Sequence, residues 1–453
     1  MVQLTGLPNE ILTRIISLLD LESIYIIKDL NKKLNELSKS ILMNSIQLRL
    51  FGLSGIHSST ALQSDLLSNK HSQSIHLISL VIGPPTNENE LKVCKDLESS
   101  MDITNDEELT ELIPRLHKLE NIELNLLNLS QWSSNELQSL QRLLYSLATL
   151  RKLKNLKVTS NDQFNDQLTI PPIQSLESLI VRGCIPSNIL IKTCVENSRN
   201  LKLIKLPNDE PSSSQVIENL NENSLPLLEF FEGRSDDIVE LTNENVSPNL
   251  KRLRYIPHKE GDESLEEIQS TLKVLDEKPL MSFAYETLFT FDFNVLVDSL
   301  KPFSETLTSL AIGNPNALAP EEITLEERLV GEIRFATSFI DHLPRLSTVC
   351  LTYVSDQGLP HLPSGNSGTT TLPDGTVASY FDRVAALWFR IQPTLIGFSV
   401  IFLDGSPCRA WHAIAFGIDQ QNNLLDVDDS WRRFKRLPTE NALPAVQSWL
   451  EEL

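Results

Sequence analysis

A chain of 453 residues, 41% hydrophobic and 22% charged, is long enough to bury a sizeable core and to hold more than one domain. Its formal net charge of -21 disfavours nonspecific nucleic-acid binding, because a negative surface repels the phosphate backbone that supplies most of such affinity. No apolar run is long enough to span a bilayer as a helix, so a membrane association is not expected either.

The first predicted helix starts at about Pro8, whose missing N–H has no partner to lose in a first turn, with Glu10 adding negative charge at the positive helix end. Ile11, Leu12, Ile15, Ile16, Leu18 and Leu19 then form an apolar stripe wider than a single packing face needs. A second helix is expected from the capping residue Ser23 through Ile24, Ile27 and Leu30, and a third through Leu34, Leu37 and Ile41. Three short helices enclose little core, so the surplus apolar surface calls for a partner or a following domain. Pro8, Asn9 and Glu10 also interrupt any reading of this segment as a signal peptide, and secretion is not expected.

The run from Leu7 through Pro8, Asn9, Glu10 and Ile11 to Leu12, the pair Ile15 and Ile16, then Leu18, Leu19 and Asp20, and finally Lys32, Lys33 and Leu34 resemble an F-box without a gap. Leu21, Ser23 and Leu34 stand where that family commonly has proline, aspartate and tryptophan. The resemblance implies docking on a Skp-type adaptor and, through it, on the cullin and RING subunits of a ubiquitin ligase. It also implies that Leu7, Pro8, Ile11, Leu12, Ile15, Ile16 and Leu19 contact the adaptor. Read without the resemblance, residues 7 to 50 are an amphipathic helical cap on the next domain.

Beyond a linking helical segment at 51–73, the dominant signal is repetition. Leu150, Leu153, Leu156, Val158 and Asn161 match the core of a leucine-rich repeat, in which alternate apolar residues of a short strand turn inward. Further copies are Ile173 to Cys184, Leu201 to Asp209, Leu225 to Gly233 and Leu250 to Tyr255. Looser ones place strands at Ile78 and Leu80, at Ile122 and Leu124, at Phe283 and Tyr285, at Leu310 and Ile312, and at Val349 and Leu351. The positions Leu156, Leu179, Ile204, Phe231 and Leu253 are 23, 25, 27 and 22 residues apart, close to one strand plus one helix per repeat. Ser133 and Glu136 form a capping-box pattern ahead of Leu137, Leu140, Leu144 and Leu147, which predicts the helix preceding the strand at Leu156. A nonrepetitive α/β domain with leucine-rich strands is the competing architecture.

Polar stretches at 86–112, 208–224 and 313–328 read as excursions between repeats, and the Ser-, Gly- and Thr-rich run at 357–376 as a loop. A helix over 377–391 and strands over 395–403 and 410–418 are expected to cap the repeats. Four of the five tryptophans, Trp388, Trp411, Trp431 and Trp449, fall in this cap and read as core more than as a pocket. The predicted fold is therefore α/β: a three-helix F-box at 1–50, an irregular leucine-rich-repeat solenoid at 74–356 and a cap at 377–453.

Residues flanking the inward positions on each repeat strand point to the opposite face, because side chains alternate along a strand. Across five strands from Asn155 to Ile256, fifteen such positions hold six basic residues and one acidic, against 39 basic and 60 acidic in the whole chain. Lys157, Arg182, Lys205, Arg234, Arg252 and Arg254 are thus candidates for binding an acidic or phosphorylated protein substrate, since arginine forks match phosphate and carboxylate. The competing reading pairs them with neighbouring acidic side chains.

No phosphate-binding loop, nucleophile elbow, HExxH pattern or paired-cysteine metal motif occurs, and five scattered cysteines indicate neither disulfide framework nor zinc site. The chain is expected to be non-catalytic and cofactor-free, in the cytoplasm or nucleus. The function these readings imply is that of a substrate-recognition subunit of an SCF-type ubiquitin ligase. The alternative is a scaffold that binds the adaptor without a cullin.

Overall fold

The computed structural model describes residues 8–9, 12, 32–34, 37, 45–50, 75–83, 113–161, 168–183, 195, 199–206, 224–242, 246–256, 262–276, 278–285, 293–313, 325–355, 370–371, 377–378, 380–392, 394–404, 409–418 and 434–436. The chain divides into two units, Met1–Leu227 and Leu228–Leu453.

In the first unit, six described strands lie side by side in chain order, each parallel to the next. They are β1 (Ser45–Leu50), β2 (Leu77–Ile82), β3 (Asn121–Leu126), β4 (Asn155–Ser160), β5 (Ser178–Gly183) and β6 (Leu203–Lys205). Every strand adds one hairpin-free step, as a repeat architecture requires. The inward rows are apolar and in register: Ile78, Ile122, Leu156, Leu179 and Ile204 in one, Leu80, Leu124, Val158 and Val181 in the next. All of them are at most 5% exposed, so the periodicity of the repeats is the core of the unit.

The backbone at the strand entrances carries its own ladder. The Glu120 carbonyl accepts the N–H groups of Lys154 and Asn155 at 2.8 and 2.9 Å, and the Lys154 carbonyl accepts those of Glu177 and Ser178 at 2.7 and 2.8 Å. The Glu177 carbonyl then accepts those of Lys202 and Leu203 at 2.8 and 3.1 Å. One carbonyl per repeat thus satisfies two donors of the next. Side chains rise along the same row, and they alternate in sign. Lys154 meets Glu120 at 3.6 Å and Lys202 meets Glu177 at 2.7 Å, both pairs well exposed.

Helix α1 (Ser134–Leu147) precedes β4, and the predicted capping box is present in both directions. The Glu136 N–H donates to Ser133 Oγ at 3.3 Å, and the Ser133 N–H donates to Glu136 Oε2 at 2.8 Å. Its face of Leu140, Leu143, Leu144 and Leu147 is buried.

In the second unit, β7 (Phe230–Gly233), β8 (Arg252–Tyr255), β9 (Ser282–Tyr285), β10 (Ser309–Gly313) and β11 (Thr348–Ser355) repeat the parallel arrangement. Helices α2 (Ser235–Thr242), α3 (Asp262–Val274), α4 (Phe293–Leu300) and α5 (Leu325–His342) fall between consecutive strands. A short antiparallel pair, β12 (Thr370–Thr371) and β13 (Val377–Ala378), comes before helix α6 (Tyr380–Ile391). Strand β14 (Gly397–Asp404) joins β11 in parallel, and β15 (Arg409–Ile418) and β16 (Phe434–Arg436) close the edge antiparallel. An antiparallel turn ends the repeat, since the next strand returns without a crossover helix.

The α6 face packs Val384, Ala385, Trp388 and Phe389 inward. Trp388 meets Phe335 edge-on at 6.1 Å and Phe398 at 6.0 Å, so this tryptophan is core, as its place in the predicted cap implies. Just past the helix, Gln392 Nε2 donates to the carbonyls of Pro344 and Leu346, both at 3.0 Å, and so ties α6 to the approach of β11.

One feature differs from expectation. The parallel sheet of the first unit begins at Ser45, inside the stretch read as helical, because β1 pairs residue for residue with β2. Of the three expected helices, the described residues give Asn9 and Leu12 as helical, with the Leu12 N–H donating to the Pro8 carbonyl at 3.1 Å, and Lys32, Lys33, Leu34 and Leu37 as helical. Leu12 and Leu34 are buried and Pro8 is exposed. Leu7, Ile11, Ile15, Ile16 and Leu19 lie outside the described residues. Among the described residues no helix is long and apolar enough to cross a membrane.

Candidate functional site

The face opposite the apolar rows is where the six basic candidates were placed, and the two units treat it differently. In the first unit it is largely open. The strand pattern of β3 alternates half-buried and buried, so Asn121, Glu123 and Asn125 face outward while Ile122, Leu124 and Leu126 face the core. On β4 the outward residues are Asn155, Lys157 and Thr159, and on β5 they are Ser178, Ile180 and Arg182. Register joins them into three cross-strand rows: Asn121, Asn155 and Ser178; Glu123, Lys157 and Ile180; Asn125, Thr159 and Arg182.

Each row has a distinct chemistry. In the first, the Asn155 side-chain amide donates to Asn121 Oδ1, and Asn121 Nδ2 donates to the His76 carbonyl at 3.5 Å. In the second, Lys157 Nζ sits 3.7 Å from Glu123 Oε1, with both side chains more than a third exposed. The third carries no acidic residue, and among the described residues neither Asn125 nor Arg182 makes a side-chain hydrogen bond or ion pair. The Thr159 hydroxyl is buried and without a hydrogen-bond partner. Past the strand ends, Asn128 and Asn161 clasp each other: the Asn128 N–H donates to Asn161 Oδ1 at 2.8 Å, and Asn161 Nδ2 donates to Asn128 Oδ1 at 3.1 Å. Asn128 adopts φ 52, a left-handed conformation that asparagine tolerates through its local hydrogen bonding.

In the second unit much of the corresponding face is closed, with Arg252, Arg254, Ser309 and Thr348 half-buried. Phe230, Ala284, Ala311 and Ser399 are fully buried, Cys350 is 1% exposed, and Ser282 and Glu232 are 4% and 6% exposed. The partner rows Phe231, Leu253, Phe283, Leu310, Val349 and Phe398 are buried as well, so most of this sheet is covered by the chain on both sides. Burial on both faces is the ordinary state of a parallel sheet. The face that carries the basic candidates is thus largely open in the first unit and largely covered in the second. A trace of this is present in the residue types. Ala284, Ala311, Cys350 and Ser399 are small and uncharged, where an exposed face carries long polar side chains.

The six basic residues consequently do not share one environment. Lys157, Arg182 and Lys205 belong to the first unit, and Arg234, Arg252 and Arg254 to the second. Lys205 is 3% exposed. Arg252 lies over the Phe230 ring at 5.6 Å, a cation–π contact. Arg254 meets Glu232 at 3.6 Å, with the two side chains 19% and 8% exposed. Arg234, half-buried, also has interactions of its own. Only Arg182 is both exposed and free of such a partner among the described residues.

The ion pairs differ in consequence because they differ in burial. Lys157→Ala is expected to change stability by less than about 0.5 kcal/mol, as an exposed pair is offset by solvent and side-chain entropy. Arg254→Ala is expected to cost roughly 1–3 kcal/mol, because it removes a half-buried cation from beside the buried Glu232 carboxylate. Urea unfolding of both variants checks the contrast, and equal effects would contradict it.

One further polar cluster lies at the carboxyl ends of β7 to β9. Ser235 Oγ donates to the Glu267 carboxylate, and the Tyr255 hydroxyl lies buried beside them without a well-formed hydrogen bond. The Tyr255 and Tyr285 rings pack at 5.7 Å. Burial, then the adjacent Glu267 charge, pushes the Tyr255 phenol far above its ordinary value. Tyr255, 1% exposed and with its ring packed on Tyr285, is part of the core. Among the described residues no cluster of His, Cys, Asp or Glu is arranged to hold a metal ion.

Comparison with known families finds no family model that matches the chain, and no curated protein matches it. Among solved structures, a protein from Bacteroides fragilis, determined by a structural genomics consortium, aligns with 16% identity over 67% of this chain and 66% of its own, with a TM-score of 0.26.

Proposed function

We propose that this protein is a substrate-recognition subunit of an SCF-type ubiquitin ligase. Residues 7 to 37 would bind a Skp-type adaptor, and through it cullin and RING subunits, and the parallel-strand repeats would bind a protein substrate. The observation that carries the reading is the F-box-like pattern from Leu7 to Leu34 joined to a chain of repeat strands. Pro8 stands exposed at the start of a helix, as an adaptor contact requires, whereas Leu12 and Leu34 are packed within the chain. The open polar face on β3 to β5 suits protein recognition, since it offers donors and acceptors on a sheet. The contribution to ubiquitin transfer is then proximity: a target lysine held near the charged enzyme reacts at a raised effective concentration.

Affinity purification of the intact chain beside a Leu7→Ala, Pro8→Ala, Ile11→Ala variant tests the reading. Recovery of adaptor and cullin by the intact chain alone supports it. Adaptor without cullin favours a non-ligase scaffold, and recovery of neither overturns both.

A further inference from the structure

We infer that the row Asn125, Thr159 and Arg182 is the anion-recognition point of the open face, and that it takes one carboxylate or phosphate group on a protein substrate. The inference rests on the receptor reading and narrows it from six basic residues on five strands to one guanidinium and one amide on either side of Thr159.

Position comes first. The three residues are direct cross-strand partners, with Asn125 opposite Thr159 and Thr159 opposite Arg182. Leu124, Leu126, Val158 and Val181 alternate with them into the core, which fixes all three on the outer face. Strands lie about 4.8 Å apart, so the row is about 10 Å wide. That span suits a single side-chain anion with a short length of flanking chain.

Bonding state singles out the row. On the row beside it, Glu123 and Lys157 neutralise each other. Beyond the strand ends, Asn128 and Asn161 spend their side chains on each other. Between these two boundaries the Asn125 amide and the Arg182 guanidinium have no partners among the described residues, and the Thr159 hydroxyl is buried without one. The Thr159 hydroxyl is closed to solvent, so the exposed Arg182 guanidinium and the half-buried Asn125 amide on either side of it are the groups an anion can reach. The positive charge of Arg182 is not cancelled within the row, and guanidinium presents paired N–H groups that match carboxylate or phosphate oxygens. Lys205, buried, and Arg254, paired with Glu232, are not comparably available.

Degenerate peptide libraries with a fixed central residue test this on the full-length protein, read by fluorescence polarisation. The central residue is phosphoserine, phosphothreonine, glutamate or alanine. Anion-centred peptides are expected to bind at least tenfold more tightly than alanine-centred ones, and Arg182→Glu is expected to abolish that preference. Arg182→Lys should retain part of it, and Arg345→Glu, a surface change in the second unit, should leave it intact. Preference for phosphate alone assigns the row to a modified segment, and equal preference for glutamate assigns it to an acidic one. No anion preference, or one that survives Arg182→Glu in a protein with unchanged circular dichroism, overturns the inference. Adaptor recovery is measured on the same preparations: intact recovery with no anion preference overturns this inference alone, while anion preference without adaptor recovery supports the row and overturns the ligase reading.

Discussion

Gly183→Ala is expected to destabilise the first unit by roughly 2–5 kcal/mol, the combined scale of left-handed backbone strain and local overpacking. Gly183 ends β5 with φ +93, a conformation that an L side chain rarely adopts. A Cβ there would overlap the Ser160 carbonyl oxygen on the neighbouring strand. Ser160 is the registered partner of Gly183 and is 2% exposed, so backbone rather than a movable side chain blocks the methyl group. Because Arg182 immediately precedes the glycine, the same substitution is expected to disturb the anion-recognition row. A urea midpoint close to that of the parent would show that β5 relaxes at its exit. Gly83 provides an internal comparison. Its φ is +152, and a Cβ would lie 2.5 Å from the Leu127 carbonyl oxygen, so a loss of the same kind is expected there.

Trp388→Ala is expected to cost about 3–5 kcal/mol in the second unit, the range for removing a large buried aromatic side chain. The indole is fully buried between Phe335 of α5 and Phe398 of β14, and Phe389 reaches the same Phe398 ring at 6.4 Å. Truncation would therefore open a cavity at the junction of helix and sheet, with several rings losing contact at once. Trp388→Phe separates volume from polarity. The indole N–H is buried without a partner, so a phenyl ring loses some contact but also removes an unsatisfied donor. Its expected loss is under about 1.5 kcal/mol. Hydrogen exchange in β11 and β14 checks both variants, and equal protection in the parent and Trp388→Ala would contradict the assignment of this residue to the core.

Much of this architecture was legible from spacing. The apolar alternation around Leu156, Leu179 and Ile204 marks three strands in register in the first unit, that around Phe231 and Leu253 marks two in the second, and Ser133 with Glu136 marks the start of α1. Strand β1 was hidden because Ile46, Leu48 and Leu50 continue a run of apolar residues that also fits a helix, and only pairing with β2 separates the two. The environment of the basic residues was hidden for a different reason. Glu123 neutralises Lys157 from a position 34 residues earlier, across a strand boundary, so the pair appears only when register is extended to β3. The largely closed face of the second unit could have been suspected from Ala284, Ala311, Cys350 and Ser399, but what covers a sheet is a tertiary fact that periodicity along one strand does not encode.

The alternating row Glu120, Lys154, Glu177 and Lys202 at the strand entrances also bears on how such a chain can lengthen or shorten over time. Excising one repeat would bring two glutamates or two lysines onto adjacent steps, and duplicating one would do the same. Removing or inserting two at once restores the order of signs. Like charges on neighbouring positions cost only about 0.2–1 kcal/mol each, so this is a bias and not a prohibition. It nevertheless favours gain and loss of repeats in pairs, a parity rule written in charge on the edge of the sheet.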